Sequence, residues 1–559
     1  MPVENDPRQW SPLRKNICLA LISSGAMISG LASNIQNPAI QNMEEDLPAT
    51  ASEISWSLSL FILIQGAAPI LWSAISEVKG RRIVYLVSLS IFTVGSIIVA
   101  TSQSIGLVIG FRCAQAAGSS AVFAIGSATL ADIFEPSERG SKMGIYYAAP
   151  MLGPSLASVL GGALTQAFDW RGVFWFLSIV SGSCLVGFLL FFRDTYRRER
   201  SMAYQAVLKK HLRAQMRAAL KSQETTHTIV QELEDEKATA KDRGKSEACD
   251  ESQHPADLEK RVQRPALPEV KVTLRDVNPF APVWLIVQRW NNVNILFASG
   301  LLFSFNFVVT YDTSRILGST YGYSALNIGF VLLAYGTGCM AGSIIGGRWS
   351  DYKLAQLTKA NNDISYPEMR LRSTLIGLPF FPLFVAGYGW IAYEHVHIAA
   401  VCVMLWICGF FSTWVYASTL AYIVDANVGR SSTAVATNSC FRGVSAFVGT
   451  EIVVPIQVLF DRRFLLGWLF TIWAFLMFIS SALILLVMCK GNAWREAGVE
   501  RELRRQQRKR HPAGDVVFQP SHSTQPATPH LERVTSQVRR TILSSSSERL
   551  LIFHDFRCP

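Results

Sequence analysis

Three ionisable side chains sit where the chain offers them little water. Arg112 lies about eight residues inside an apolar stretch, in Arg112-Cys113-Ala114-Gln115-Ala116-Ala117-Gly118. An arginine at that depth costs roughly 2.5–3.5 kcal/mol on insertion scales, so it needs a partner or a purpose; the purely structural options are snorkelling and helix pairing. Glu451 lies inside another apolar stretch, in Gly449-Thr450-Glu451-Ile452-Val453-Val454-Pro455. A carboxylate held in hydrocarbon can take up and release a proton across a membrane. If that stretch ends early, Glu451 instead meets water at the outer surface. Arg442 precedes Glu451 by nine residues, and at about 100° per residue the two point to opposite faces of one helix. Arg442 must therefore find another partner or line a cavity. The other carboxylates of interest, Glu77, Asp132, Asp312, Asp351 and Asp425, are expected near the ends of apolar stretches.

A second group of residues suits a conformational latch. Ser76-Glu77-Val78-Lys79-Gly80-Arg81-Arg82 places a carboxylate at the end of one stretch, then a glycine, then paired cations. Such a cluster can tie helix ends together in one state and release them in another. Asp132 and Arg139 belong to the same expected surface. Gly346-Gly347-Arg348-Trp349-Ser350-Asp351 stands at the corresponding place in the second half, which points to duplication. A third group, Ala149-Pro150-Met151-Leu152-Gly153-Pro154 followed by Gly161-Gly162, combines bending with close helix approach. Cavity walls need aromatic and hydrogen-bonding groups. The candidates are Asn34, Asn37, Gln65, Gln115, Tyr146, Tyr147, Asn306, Tyr311, Trp414, Tyr416, Asn438 and Arg442, each of which could equally be an ordinary packing residue.

The elements that must position these groups are legible in the composition. Half of the 559 residues are hydrophobic and only 17% are charged. The apolar residues fall into twelve blocks of about twenty, the length needed to cross a bilayer, and in hydrocarbon each block must satisfy its own backbone as a helix. The expected fold is an all-α polytopic membrane protein of twelve helices in two pseudo-symmetric six-helix bundles. The organisation reads as an N-terminal segment 1–15, a bundle over 16–192, a central loop over 193–285, a second bundle over 286–489 and a basic, Ser-rich tail over 490–559. The first block lacks a small-residue cleavage site and is expected to stay as the first span.

The net charge of +11 would suggest nucleic acid in a soluble protein. Here Lys and Arg gather in alternate connections, the central loop and the tail, which places both termini and the loop in the cytoplasm. In the loop, Tyr204, Leu208, Leu212, Met216 and Leu220 recur every four residues among basic residues, as in a helix lying on an anionic leaflet or a solvated helix with a mild apolar stripe. The ten cysteines show no CxxC spacing and read as small buried apolar residues rather than metal ligands or disulfides. No cofactor is expected. The expected partners are a small-molecule substrate, protons and the bilayer, without nucleic acid, and the expected state is a monomer.

These motifs resemble the major facilitator superfamily. The segment 76–82 resembles its loop 2–3 signature, with Ser73 where glycine is usual and Glu77 where aspartate is usual. Arg112, Gln115 and Gly118 resemble its Arg-x-x-Gln-x-x-Gly element, in which the arginine is implicated in proton coupling. Gly153, Pro154, Gly161 and Gly162 resemble its antiporter signature, with Ser158 where proline is common. Arg193-Asp194-Thr195-Tyr196, Leu274-Arg275-Asp276-Val277-Asn278-Pro279, Tyr321-Gly322-Tyr323-Ser324 and Tyr422-Ile423-Val424-Asp425 narrow the likeness to the fungal drug:proton antiporters with twelve spans, in their quinidine-resistance and dityrosine-transporter branch. The resemblance covers about residues 16–490. It implies a proton-coupled exporter of small organic molecules in a plasma or prospore membrane, with Arg112 and Glu451 as coupling candidates, and leaves the cargo open. The alternatives are a facilitator or importer, or a transporter-like nutrient sensor signalling through its tails. No HExxH, GxSxG or phosphate-binding loop favours an enzyme.

Overall fold

The computed structural model describes residues 6–196, most of 204–215, 280–319, 321–394, 396–427, 430–459 and 462–510, with backbone alone for parts of 136–154 and for 453–466. We number only the long helical segments. They are α1 (Pro12–Asn34), α2 (Ala51–Lys79), α3 (Arg81–Ala100) and α4 (Ile105–Ile133), then a run over Pro136–Phe191. That run is broken at Phe168 and Asp169, where Asp169 takes a φ of 64°, and forms α5 (136–167) and α6 (170–191). The second half supplies α7 (Trp290–Ser319), α8 (Ala325–Ala360), α9 (Gly377–Tyr393), α10 (Ile398–Ala426), α11 (Ser431–Leu459) and α12 (Arg462–Arg510). Among the described residues nine helices are long and apolar enough to cross a membrane, and a bent tenth is formed by Glu368–Thr374 with α9. Residues Met1–Val499 form one compact unit, and Glu500–Pro559 form a second, of which 500–510 are described as helix.

Local chemistry sets several ends. At the start of α2, Thr50 accepts from the Glu53 amide while Glu53 accepts from the Thr50 amide, a capping box that satisfies two orphan donors. Gly80 ends α2 at a φ of 86°, a conformation that costs a side chain and that lets α3 begin at once. Pro12 and Pro136 open their helices, where a missing N–H is no loss.

Two apolar cores form. One is built from α1 to α6 around Phe61, Phe92, Trp170 and Phe174, and includes Tyr311 of α7 and Ala446 of α11. The other is built from α7 to α12 around Phe305, Phe381, Tyr388 and Phe470. Large apolar side chains such as Val94, Ile179, Leu190, Leu383, Val403 and Phe475 point outward instead, as expected of surfaces that face lipid. The chain enters α1 at what we term the proximal face; helices alternate direction, so the loops after α1, α3, α5, α7, α9 and α11 mark the distal face.

Four observations bear on the expected organisation. A helix, Phe280–Val287, stands within the expected loop, with Phe280 and Trp284 exposed. Of the basic amphipathic segment, Tyr204, Leu208 and Leu212 are helical, and Met216 and Leu220 lie outside the described residues. Beyond residue 489, α12 continues to Arg510, because Arg, Glu, Gln and Leu are strong helix formers even without apolar packing. The eight described cysteines are free, and Cys489 is exposed rather than buried.

Small residues decide which helices touch. A methyl on Gly153 would lie 2.6 Å from the Gly30 carbonyl carbon, so α5 and α1 meet backbone to backbone. Gly153→Val is expected to force these helices apart at a cost of about 1–3 kcal/mol, read as a lower apparent unfolding temperature in detergent. Gly110→Ala, where nothing lies within 4 Å, should leave that temperature unchanged.

Candidate functional site

At the proximal face the latch closes around one guanidinium. Arg81 is buried, with Nη2 3.2 Å from Glu77 and Nε 3.5 Å from Asp132, and it also donates to Ser76. The ends of α2, α3 and α4 are thereby joined. Two residues beyond α6 complete the cluster. Asp194 accepts from the Arg81 amide at 3.0 Å, and the Tyr196 hydroxyl donates to the Glu77 carbonyl at 2.6 Å while its ring lies 5.2 Å from the Arg81 guanidinium. A side chain at Gly80 would collide with Asp194, which explains why glycine stands there. Arg82 takes no part in the charge cluster; it donates to the Leu189 carbonyl at 2.9 Å. The side chain of Arg139 lies outside the described residues.

The second half repeats the arrangement with different residues. Arg370 donates to Asp351 at 2.7 Å and to Asp425, joining the end of α8, the approach to α9 and the end of α10. Asp351 was expected here; Arg370 and Asp425 were not named as latch residues, although both were visible as charges beside apolar blocks. Gly347 has open space around it and makes no close approach.

Midway through the helices, Arg112 is fully buried. Its Nη1 donates to the Ala32 carbonyl at 3.1 Å and to Gln115 at 3.2 Å, and its guanidinium lies 4.0 Å from the Phe61 ring. Gln115 in turn donates to Ser96 at 2.8 Å. Nε and Nη2 have no hydrogen-bond partner among the described residues. Arg112 is thus neither snorkelling nor paired with an acid there; carbonyl, amide and aromatic groups replace its water.

Arg442 is its counterpart in the second half. The guanidinium lies 3.7 Å from the Phe303 ring and 4.7 Å from the Tyr416 ring, and Nη1 donates to the Tyr416 hydroxyl at 2.6 Å. About one turn further toward the distal face, Asn306 donates to Ser412 at 2.9 Å and accepts from Tyr335. Asn438, one turn before Arg442 on α11, is fully buried, and neither polar atom of its side chain has a partner among the described residues.

Other cavity candidates are committed elsewhere. Tyr146 is buried and donates to the Val122 carbonyl at 3.0 Å, inside the first core. Asn34 accepts weakly from Asn37, and Gln65 ties Ser29 and Ser33 to its own helix. Tyr311 is buried and accepts from Arg315. Tyr147 and Pro154 have side chains outside the described residues. Gly161 approaches Ile35 of α1, as Gly153 approaches Gly30, so the Gly/Pro motif sets the α1–α5 contact.

The contacts that join the two halves run from mid-membrane to the distal face. Gly66 of α2 and Gly443 of α11 meet at mid-membrane, where a methyl on Gly66 would lie 2.8 Å from the Gly443 Cα. Ser155 meets Gly336, Ser158 meets Gly329, and Gly162 meets the start of α8. Ser59 and Ser55 of α2 donate to Glu451 of α11 at 2.6 and 3.2 Å. Arg315 of α7 lies 3.6 Å from Glu44. Glu451 is half-buried, and α11 continues to Leu459 beyond it, so the helix does not end early.

Asp312 is the residue that sequence reasoning misplaced. It was expected near a helix end, yet α7 runs seven residues past it and the side chain is fully buried beside Tyr311 and Arg315. Among the described residues no group of His, Cys, Asp and Glu is suited to hold a metal ion.

Residues 22–450 match the family description Major Facilitator Superfamily. The chain belongs to that superfamily. It is 28% identical over 464 residues to Citrate exporter 1 of Aspergillus niger, covering 79% of this chain and 80% of the relative. It is 26% identical over 570 residues to the MFS antiporter QDR3 of Candida albicans, covering 89% and 80%. Among solved structures, a D-xylose–proton symporter aligns with a TM-score of 0.55 at 12% identity, over 85% of this chain and 97% of that one, which shows the shared fold. This superfamily member is a multi-pass membrane transporter and not an enzyme, and the fungal drug-antiporter likeness of its motifs is matched by its relatives.

The latch geometry separates two neighbouring arginines. Arg81→Ala removes the buried guanidinium that joins Glu77, Asp132 and Ser76 and is expected to cost about 1–3 kcal/mol of stability, whereas Arg82→Ala, at a partly exposed site outside the cluster, should change it by less than about 0.5 kcal/mol. Thermal unfolding of the two purified variants in the same detergent checks this.

Proposed function

We propose that this superfamily member exports small organic molecules by alternating access, driven by proton entry, across a plasma membrane with both termini cytoplasmic. The observation that carries the reading is the position of titratable acids in the seam between the halves. Glu451 accepts two hydroxyl hydrogen bonds from the opposite half at the distal face. A carboxylate accepts both; a protonated acid has a weaker hold on two donors. Protonation therefore loosens the distal seam, and loss of the proton tightens it. Asp312, fully buried near the Arg315–Glu44 pair, is a second acid placed to carry a proton through the same cycle. Each proximal cluster, around Arg81 and around Arg370, is closed within its own half, so the halves can part there without breaking either. With the Lys/Arg bias placing the proximal face in the cytoplasm, this arrangement is sealed outward and offers cargo access from inside.

Arg112 contributes a fixed positive charge in the first half. Its free donors are available to an acid or cargo that approaches in another state. The Gly153, Gly161 and Gly162 contacts hold α5 tightly to α1 and α8, which supports an exporter's closed seam.

In proteoliposomes with an imposed pH gradient, and with citrate and ethidium as probes, wild type is expected to concentrate at least one probe against its gradient. Arg112→Ala should abolish this. Glu451→Gln and Asp312→Asn should each reduce the dependence on the pH gradient while sparing probe binding. Gradient-dependent transport unchanged in all three variants would remove the coupling assignment. Topology is checked separately: a single cysteine at position 240 should react with an impermeant reagent only after cells are opened.

A further inference from the structure

The second half contains an intramembrane arginine, Arg442, whose role none of the motifs above assigns. Arg442 lies in the middle of α11, deep within the membrane-spanning part of the chain, yet the residue keeps partial exposure, as do Phe303, Asn306 and Tyr416 around it. Its faces are taken by Phe303 and Tyr416, and one Nη by the Tyr416 hydroxyl. Nε has no partner. No carboxylate lies within salt-bridge distance of Arg442 among the described residues, although Arg81, Arg171, Arg315 and Arg370 each have one. Glu451, on the same helix, is turned away and bound to Ser55 and Ser59. Asn438, fully buried one turn earlier, has no partner for its amide nitrogen or oxygen among the described residues. Asn306, Ser412 and Tyr335 add a polar ledge one turn toward the distal face.

Aromatic faces reduce the cost of burying a guanidinium but do not neutralise it. Its planar edge is shaped to bind a carboxylate with two parallel donors. An unpaired amide on the same helix wall supplies a further donor and acceptor. We infer that Arg442 is the charge-recognising residue of the cargo site, and that the cargo class is organic anions carrying a carboxylate, with Phe303 and Tyr416 flanking the bound group and Asn438 able to hydrogen-bond it. The inference rests on the export reading for calling this ligand cargo; the binding itself stands on the geometry alone. Unlike Arg112, which is fully buried among α1, α2, α4 and α6, Arg442 is only partly buried.

The test uses the full chain in lipid nanodiscs, with two matched probe pairs: benzoate against benzamide, and citrate against trimethyl citrate. Binding is read by calorimetry and by thermal stabilisation. At least one anion is expected to bind, and its neutral partner to bind about tenfold or more weakly. Arg442→Gln should remove that preference, lowering anion affinity about ten- to a hundredfold, while Arg442→Lys restores part of it. Asn438→Leu should weaken the anion without affecting the neutral probe. Equal affinity within both pairs, no binding by either anion, or Arg442→Gln binding the anion as wild type does would overturn the assignment. A misfolded Arg442→Gln is recognised by its unfolding profile, and Asn438→Leu together with Arg442→Lys then decides the matter. Anion binding with the stated preference but no proton-driven movement of the anion in proteoliposomes upholds the site and overturns the export reading instead.

Discussion

A guanidinium carried into a membrane must be given a replacement for its water, and the ways this protein supplies one organise the rest of its structure. Four arginines receive four treatments that pair across the two halves. Arg81 and Arg370, at the proximal ends of the helices, are clamped between carboxylates. Arg112 and Arg442, deeper in the membrane, are laid on aromatic rings, with two acceptors for Arg112 and one for Arg442 and some donors left over among the described residues. The clamped pair costs little to keep in place and ties helix ends. The aromatic pair leaves donors without a partner among the described residues, the feature on which the proposed recognition of negative charge rests.

The second organising constraint is helix approach in a solvent that provides no hydrophobic drive between helices. Small residues take over that task. Gly30 with Gly153 fixes α1 against α5, Gly66 with Gly443 fixes α2 against α11, and Gly162, Gly329 and Gly336 fix α5 against α8. The last two contacts cross between the halves. They bring the chains close enough for Ser55 and Ser59 to reach Glu451, so the polar seam depends on the small-residue seam beneath it. A seam of small residues and few hydrogen bonds is also one that can separate, since little apolar surface is lost when it opens.

The two proximal clusters illustrate how one architecture is met twice with different residues. The first uses an i,i+4 pair within a helix end, Glu77 and Arg81, completed by Asp132, Asp194 and Tyr196. The second draws its arginine from the short helix before α9 and its acids from α8 and α10. Both join three consecutive helices, which ties each half together at that face.

What the sequence determined by itself was the class and the local devices. Apolar blocks of bilayer length demand helices, whatever their neighbours, because the backbone has no other partner in hydrocarbon. Glu77, Gly80 and Arg81 were legible as a charge cluster at helix ends because their chemistry is local, and the Gly/Pro segment of α5 was legible as a close-packing surface. Hydropathy alone misled at Asp312: the polar residues Asp312 to Ser314 suggest a helix end, but they face protein, and α7 continues to Ser319. Only the tertiary structure decided that Asp194 and Tyr196 close the Arg81 cluster, that Arg370 answers for the second half, that Glu451 spans the seam to Ser59 some 392 residues away, and that Arg442 rests on Phe303 and Tyr416 without an acid. Periodicity states which face of a helix is apolar, but the partner of a buried polar group is set by which helices touch and at what height, and that is fixed by packing between segments far apart in the chain.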